Sequence, residues 1–299
     1  MSNELRNFLA LSYDELEELN LKAKEQRKNR VAAHKIQEER IKYLTDEKRI
    51  KAVTVLFSDL EGRLHMLDYD KKFLIKSWDN LTFDGSSIRG FTAQRESDLR
   101  LAMDWGAFYW GPSDVLGSGK VLVFGHVIDK DGSPYAGDIR GVLKGYADQL
   151  HEKKGYTLNA ANEIEGFLFR GPDAERHYHE TAKFEYVNTG GYYHSLPGDP
   201  LRTFIDTTAE VQRAMGFQNE KDHPEVAPVA VRDQLWLWRS GAGRGPDPAL
   251  QTNLPAGGDQ HGVDGLLFAE AGCRCERQRH AHQRVCQQGC QEPVLGAEG

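Results

Sequence analysis

The chain has 299 residues, 39% of them hydrophobic and 28% charged, with a formal net charge of −7. That length allows one large domain or two modest ones with a proper core. The acidic balance argues against nucleic acid as the main partner, and no apolar run approaches the roughly 20 residues of a membrane span, so neither nucleic acid nor membrane is expected as a partner.

The opening residues, MSNELRNFLALSYDELEELN, are acidic early and lack the basic start and apolar core of a signal peptide, which predicts a cytoplasmic protein. From residue 12 to about residue 50 the pattern is helical. Ser12 with Glu15 makes a capping-box signature, and Leu16, Leu19 and Ala23 follow at helical spacing. The stretch KAKEQRKNRVAAHKIQEERIKYL has no Gly or Pro and alternates charge signs, as a solvated helix does. Residues 1–49 are therefore expected to form a helical N-terminal extension, with a partner-binding face as the alternative.

The period then changes. AVTVLFSDLEGRLHML holds two β-rich runs around Glu61-Gly62, the pattern of a hairpin. Lys120 to Val127 reads as a buried strand running into a turn at Asp131-Gly132. Helical spacing returns in GVLKGYADQLHEKKG, with Val142, Leu143, Tyr146 and Leu150 on one stripe and Gly155 as C-cap. NEIEGFLF is a strand, and DPLRTFIDTTAEVQRAMG is a helix with Pro200 in its first turn and Gly216 at its end. Strands and helices mix without the regular alternation of a doubly wound sheet, so the fold class is α+β.

Two stretches carry candidate chemistry. In NEIEGFLF, Glu163 and Glu165 are two apart on a strand, so both belong to one face and Ile164 to the other. Parallel carboxylates repel unless a cation accompanies them, and oxygen-rich sites of this kind suit Mg²⁺ or Mn²⁺. A simply solvated strand face accounts for the same spacing. In FDGSSIRGFTAQRESDLRL, Gly85, Ser86, Ser87 and Gly90 lie between Asp84, Glu96 and Asp98. Such a loop brings backbone amides and a carboxylate near a ligand, or is only a turn.

Taken in order, FDGSSIRGF with ESDLRL, then NEIEGFLF, NTGGYY and HPEVAP resemble glutamine synthetase of the bacterial type I class over roughly residues 50 to 228. Behind the helical N-terminal extension, the resemblance implies a β-grasp domain at 50–137 and the truncated start of the catalytic domain at 138–228. It implies an ATP-dependent ligase that joins ammonia to glutamate through γ-glutamyl phosphate, with two divalent ions, Mg²⁺ or Mn²⁺, neutralising the phosphoryl oxygens. On this chain Glu163 and Glu165 would each serve a different metal, and Glu225 of HPEVAP would join Glu165. Asp84 would be catalytic, reaching a neighbouring subunit's site to bind and deprotonate ammonium, in a homo-oligomer that is a dodecamer in the intact family. Two other readings stand beside this one. One is a γ-glutamyl-amine ligase of the same fold, and the other is a non-catalytic binding or regulatory protein that keeps the β-grasp domain for association.

After HPEVAP the resemblance breaks. The family continues with a stretch like S-Q-F-E-I-N, whose Glu completes the metal site, whereas this chain has Val229, Ala230, Val231, Arg232, Asp233 and Gln234. Written as GTC GCA GTT CGA GAT CAA, those residues read S-Q-F-E-I once the first base is dropped. In the same frame Glu276 to Arg284 yields N-G-S-G-M-H-T-N, and QEPVL yields R-N-L-F, both family-like strings. A single-base insertion at or just after the Pro228 codon is the reading. Residues 229–299 are then an aberrant, disordered tail, and the chain as written is expected to be inactive. The tail also holds all four cysteines, Cys273, Cys275, Cys286 and Cys290, around His280 and His282, in a spacing that matches no zinc-finger pattern well.

Overall fold

Helix α1 (Tyr13–Lys28) starts where its cap dictates: the Ser12 side chain accepts from the Glu15 amide, and the Glu15 carboxylate accepts from the Ser12 amide at 2.9 Å. The computed structural model describes residues 7–156, 163–170, 173–187, 191–226 and 230–235. These fall into two units, the first with residues 7–156 and 210–218, the second with residues 163–209 and 219–235 as far as they are described.

In the first unit α1 ends at Asn29, and Arg30, at φ 51°, turns the chain into α2 (Ala33–Asp46). The charge-alternating stretch is thus two helices, and neither is solvated all round. Leu16, Asn20 and Ala23 on α1 and Ile36, Arg40 and Leu44 on α2 are buried. The alternating charges mask a stripe at i, i+4 and i+7 or i+8, which is the face that packs. Arg40 belongs to that stripe because its guanidinium lies 5.0 Å from the Trp110 ring centroid and donates to Gln26 Oε1 at 2.6 Å.

Strands β1 (Ala52–Ser58) and β2 (Leu64–Asp70) form the hairpin expected at Glu61-Gly62. Then come α3 (Lys71–Ser77), β3 (Leu81–Asp84), β4 (Asp98–Tyr109), α4 (Ser113–Leu116), β5 (Lys120–Ile128) and α5 (Ile139–Lys154). The five strands are ordered β2-β1-β5-β4-β3, with β1 and β5 parallel and the other neighbours antiparallel. Strand β1 is buried from Val53 to Ser58, as an inner strand covered on both faces must be, whereas the edge strand β2 alternates in exposure. Val53, Val55, Phe57, Val121 and Val123 share one core with Leu16, Ile36, Leu44 and Leu74 of the helices. The opposite parity, Leu56, Leu122 and Phe124, is buried too, and Arg140 of α5 lies over Phe124 at 5.1 Å.

Helix α5 ends at Gly155, which takes the left-handed conformation expected of a C-cap. Its apolar stripe behaves otherwise: Val142 and Tyr146 are exposed among the described residues, and the buried side chain is that of Arg140.

The second unit holds β6 (Glu163–Phe167), α6 (Ala174–Thr181), α7 (Pro200–Ala214) through residue 209, β7 (Asn219–Pro224) and β8 (Ala230–Leu235). Its three strands run β6-β8-β7, antiparallel throughout. Leu168, Leu201 and Ile205 make a small core with Val187 and Phe204, and Arg202 of α7 bonds Asp222 of β7 at 3.0 Å. The expectation that strand structure stops at 228 fails for residues 230–235. Arg232, Asp233 and Gln234 are three consecutive polar residues with no period of two, yet β8 pairs with both β6 and β7. The remainder of the expected tail, including Cys273, Cys275, His280, His282, Cys286 and Cys290, lies outside the described residues.

Candidate metal centre

Glu163 and Glu165 both stand on β6, and a spacing of two assigns them to one face of the sheet. Across the ladder Glu163 is opposite Gln234 and Glu165 opposite Arg232. Strand β8 in turn sets Gln234 opposite Lys221 and Arg232 opposite His223 of β7. Directly opposed residues share a face, so a row Glu165–Arg232–His223 crosses the three strands. Glu225 follows β7 at once.

His223 and Glu225 are each 8% exposed. His223 Nδ1 lies 2.9 Å from the Pro224 carbonyl oxygen, which only accepts, so Nδ1 carries the proton in that bond. The same nitrogen is 3.8 Å from Glu225 Oε1. The Tyr193 amide donates to the Pro224 carbonyl at 3.2 Å, and the Tyr193 and Tyr192 rings meet the imidazole at 4.6 and 5.3 Å. Tyr193 adopts φ 59°, an uncommon left-handed conformation for a bulky residue. Two of the motifs read from the sequence, NTGGYY and HPEVAP, therefore meet at one carbonyl.

Asp84 belongs to the first unit, at the end of β3, and its carboxylate is occupied by its own loop. It accepts from Ser86 N at 2.8 Å and Ser86 Oγ at 2.6 Å, and these bonds hold its pKa below the ordinary carboxylate value. A Cβ at Gly85 would come within 2.8 Å of Leu99 Cδ1, so any side chain there would have to displace that leucine.

The order of these motifs along two units is matched by known proteins. Residues 49–130 fit the family profile "Glutamine synthetase, beta-Grasp domain", and residues 136–231 fit "Glutamine synthetase, catalytic domain", together more than half of the 299 residues. The chain belongs to the glutamine synthetase family. It is 36% identical over 186 residues to a glutamine synthetase of Methanosarcina mazei, which covers 61% of this chain and 40% of that relative. To a glutamine synthetase of Thermotoga maritima it is 32% identical over 191 residues, covering 64% and 42%. A cryo-EM structure of Plasmodium falciparum glutamine synthetase superposes with a TM-score of 0.55 at 17% identity, over 67% of this chain and 44% of that one, which shows the shared fold. The chain thus spans about two fifths of the length of the curated relatives it matches.

Membership in the glutamine synthetase family implies divalent metal, and the carboxylates of β6 with buried Glu225 are oxygen donors of the right kind. The row as a whole does not fit one. Arginine offers no lone pair and does not lose its charge, so Arg232, the ladder partner of Glu165, is not a residue type that can ligate a metal. Among the described residues, no group of three or more His, Cys, Asp or Glu is arranged to hold a metal ion.

Sequence reasoning missed one buried charged group in this glutamine synthetase chain. Three residues, Trp105, Gly106 and Ala107, bulge from β4 beyond Asp104. Asp104 meets Arg140 at 2.9 Å, Arg140 donates to His126 Nε2 at 3.0 Å, and His126 Nδ1 lies 3.3 Å from Asp138. Arginine only donates, so His126 Nε2 is the acceptor and Nδ1 holds the proton toward Asp138. Burial pushes the Asp104 carboxyl up, yet the Arg140 guanidinium, with His126 and Arg27, brings it down to about 2. Its members are separated by up to 36 positions, so no local spacing announces them.

Proposed function

We propose that the chain is the N-terminal portion of an ATP-dependent glutamate–ammonia ligase, and that in its 299-residue form it does not carry out the ligation. The observation that carries this is where the family pattern ends. Both domain profiles occur in order, the catalytic one stops at residue 231, and the next residue, the ladder partner of Glu165, is Arg232 where the family pattern calls for a Glu. Phosphoryl transfer depends on positioning and charge neutralisation more than on any single base, so an arginine in place of a metal-binding carboxylate removes what the reaction most needs.

In the frame-restored protein, glutamate, ammonia and ATP are the substrates. Glu163, Glu165 and Glu225 supply oxygens for Mg²⁺ or Mn²⁺, and Asp84 acts on ammonium in the site of a neighbouring subunit of a cytoplasmic homo-oligomer. The division into an extension at 1–49, a β-grasp domain at 50–137, a partial catalytic domain at 138–228 and an out-of-frame tail at 229–299 belongs to the same reading. It is supported by the profile boundaries at 49, 130, 136 and 231, which lie close to the domain edges. The reading also requires that β8 pairs in spite of its altered sequence, which is consistent with its ladders to β6 and β7.

The test is a glutamine-formation assay on two proteins, the chain as written and the product of the gene with one base deleted after the Pro228 codon. The first should form no glutamine with ample Mg²⁺, and the second should. Activity in the 299-residue chain would refute the proposal. Activity of the restored protein with amines but not with ammonia would replace the substrate with an amine and keep the fold.

A further inference from the structure

Helix α1 lies ahead of residue 49, where the β-grasp profile begins, yet its buried face meets a piece of the catalytic profile. That piece is the end of α7, from Ala214 to Phe217, which belongs to the same unit as α1. We infer that α1 is a positioning element for the catalytic segment. With the end of β4 it forms a socket that fixes where α7 stops and β7 starts, and so where β7 places His223 and the Glu225 that follows it. The role of those two residues rests on the ligase reading, whereas the socket itself does not.

Helix α7 closes on Gly216, which is left-handed at φ 78°. The Phe217 amide donates to the Gln212 carbonyl at 2.9 Å and the Gly216 amide to the Arg213 carbonyl at 2.8 Å. This closing turn serves Gln212 and Arg213 and leaves the carbonyls of Ala214 and Gly216 to other donors. Helix α1 supplies both. Asn20 Nδ2 donates to the Ala214 carbonyl at 2.9 Å, and Lys24 Nζ to the Gly216 carbonyl at 3.3 Å. The same carboxamide holds Trp110 by its backbone, donating to its carbonyl at 2.8 Å and accepting from its amide at 3.1 Å. Phe217 stacks on Tyr109 at 5.7 Å, and Arg27 of α1 donates to the Tyr109 hydroxyl at 3.4 Å. The backbones approach closely, since a Cβ at Gly216 would come within 3.0 Å of Asn20 Cβ. Only Gln218 separates Phe217 from the first residue of β7, Asn219, so a shift at the socket passes straight into that strand. At the far end of β7 the Pro224 carbonyl accepts from the Tyr193 amide at 3.2 Å. That amide therefore reports whether β7 has kept its place.

The experiment is amide hydrogen exchange, read residue by residue in the 299-residue chain, unaltered and as Asn20→Asp, Lys24→Met, Lys24→Arg and Ser12→Ala. Asn20→Asp keeps the shape of the side chain but turns its donor into an acceptor, and Lys24→Met keeps the stem but drops the ammonium. Either change should speed exchange at Met215, Gly216 and Phe217 about tenfold, the effect of losing one buried hydrogen bond. The Tyr193 amide should follow by about threefold, both measured relative to Val53, Val55 and Val123 of the sheet core, which report global unfolding. Lys24→Arg restores a donor and should return both sites to the rates of the unaltered chain. Ser12→Ala frays α1 at its other end and should leave them alone. Equal acceleration at every amide would reduce Asn20 and Lys24 to general stability and overturn the inference. Faster exchange at 215–217 with Tyr193 unmoved would do the same, because α1 would then be a local cap. If Asn20→Asp does not fold, the contrast between Lys24→Met and Lys24→Arg decides alone. Unchanged protection would sink this inference and leave the proposed function standing, whereas a frame-restored protein that forms no glutamine would sink the function and leave the socket.

Discussion

Replacing Arg140 by methionine removes the buried cation that makes the largely buried Asp104 carboxylate tolerable. Arg140 is 3% exposed, and its guanidinium lies 2.9 Å from Asp104 and 3.0 Å from His126 Nε2. Asp104 is held at about 2 against an ordinary 3.8, and at 1.36 kcal/mol per unit that shift corresponds to about 2 kcal/mol of differential stabilisation. Breaking one side of a buried pair also leaves the other charge uncompensated, so the expected loss at neutral pH is about 3 kcal/mol. The pH dependence follows in sign. Because the folded-state pKa lies below the unfolded one, the contribution of Asp104 is complete above the unfolded value and fades as pH falls through the folded value. In the variant, burial raises the carboxyl instead. The gap between wild type and Arg140→Met should therefore narrow between about pH 5 and about pH 2. Urea unfolding followed by fluorescence of the buried Trp105 and Trp110 measures it. Adding Asp104→Asn to the variant should recover part of the loss, because the orphaned charge is then gone. A loss below about 1 kcal/mol, or a gap that is the same at neutral and acid pH, would refute the reasoning.

Three further outcomes are expected. Asn20 donates to the carbonyls of Leu16, Trp110 and Ala214 at 2.8–2.9 Å and accepts from Trp110 N at 3.1 Å, so Asn20→Leu should cost about 2 kcal/mol in urea unfolding by leaving those groups unpaired. Ser12→Ala removes the cap of α1 and should cost about 1 kcal/mol, with the earliest loss of hydrogen-exchange protection in the first turn. In the frame-restored protein, Glu163→Ala and Glu165→Ala should each weaken Mg²⁺ or Mn²⁺ binding in a titration and abolish glutamine formation, and normal activity in both would remove these residues from the site.

What the sequence determined by itself is what neighbouring residues decide among themselves. The capping box at Ser12 and Glu15, the hairpin at Glu61-Gly62, the left-handed Gly155 and the stop at Gly216 each depend on a few adjacent dihedral angles, and the structure has all of them. The order of the four motifs was equally legible, because it is a property of the chain and not of its packing. Tertiary structure decided the rest. Only packing shows that Asn20, and Arg40 in the charge-alternating stretch, face Trp110 and the core. The bulge after Asp104 and the placement of Arg140 over Phe124 likewise bring together residues that no spacing relates. The pairing of Glu165 with Arg232 is the sharpest case. A one-residue slip of β8 would put Arg232 on the other face, and that register is chosen by the ladder as a whole rather than by either residue. Local signals act through the stiffness of the backbone over a few bonds, whereas a charge opposite another charge is an outcome of which strands pair, and that is fixed only when the sheet closes.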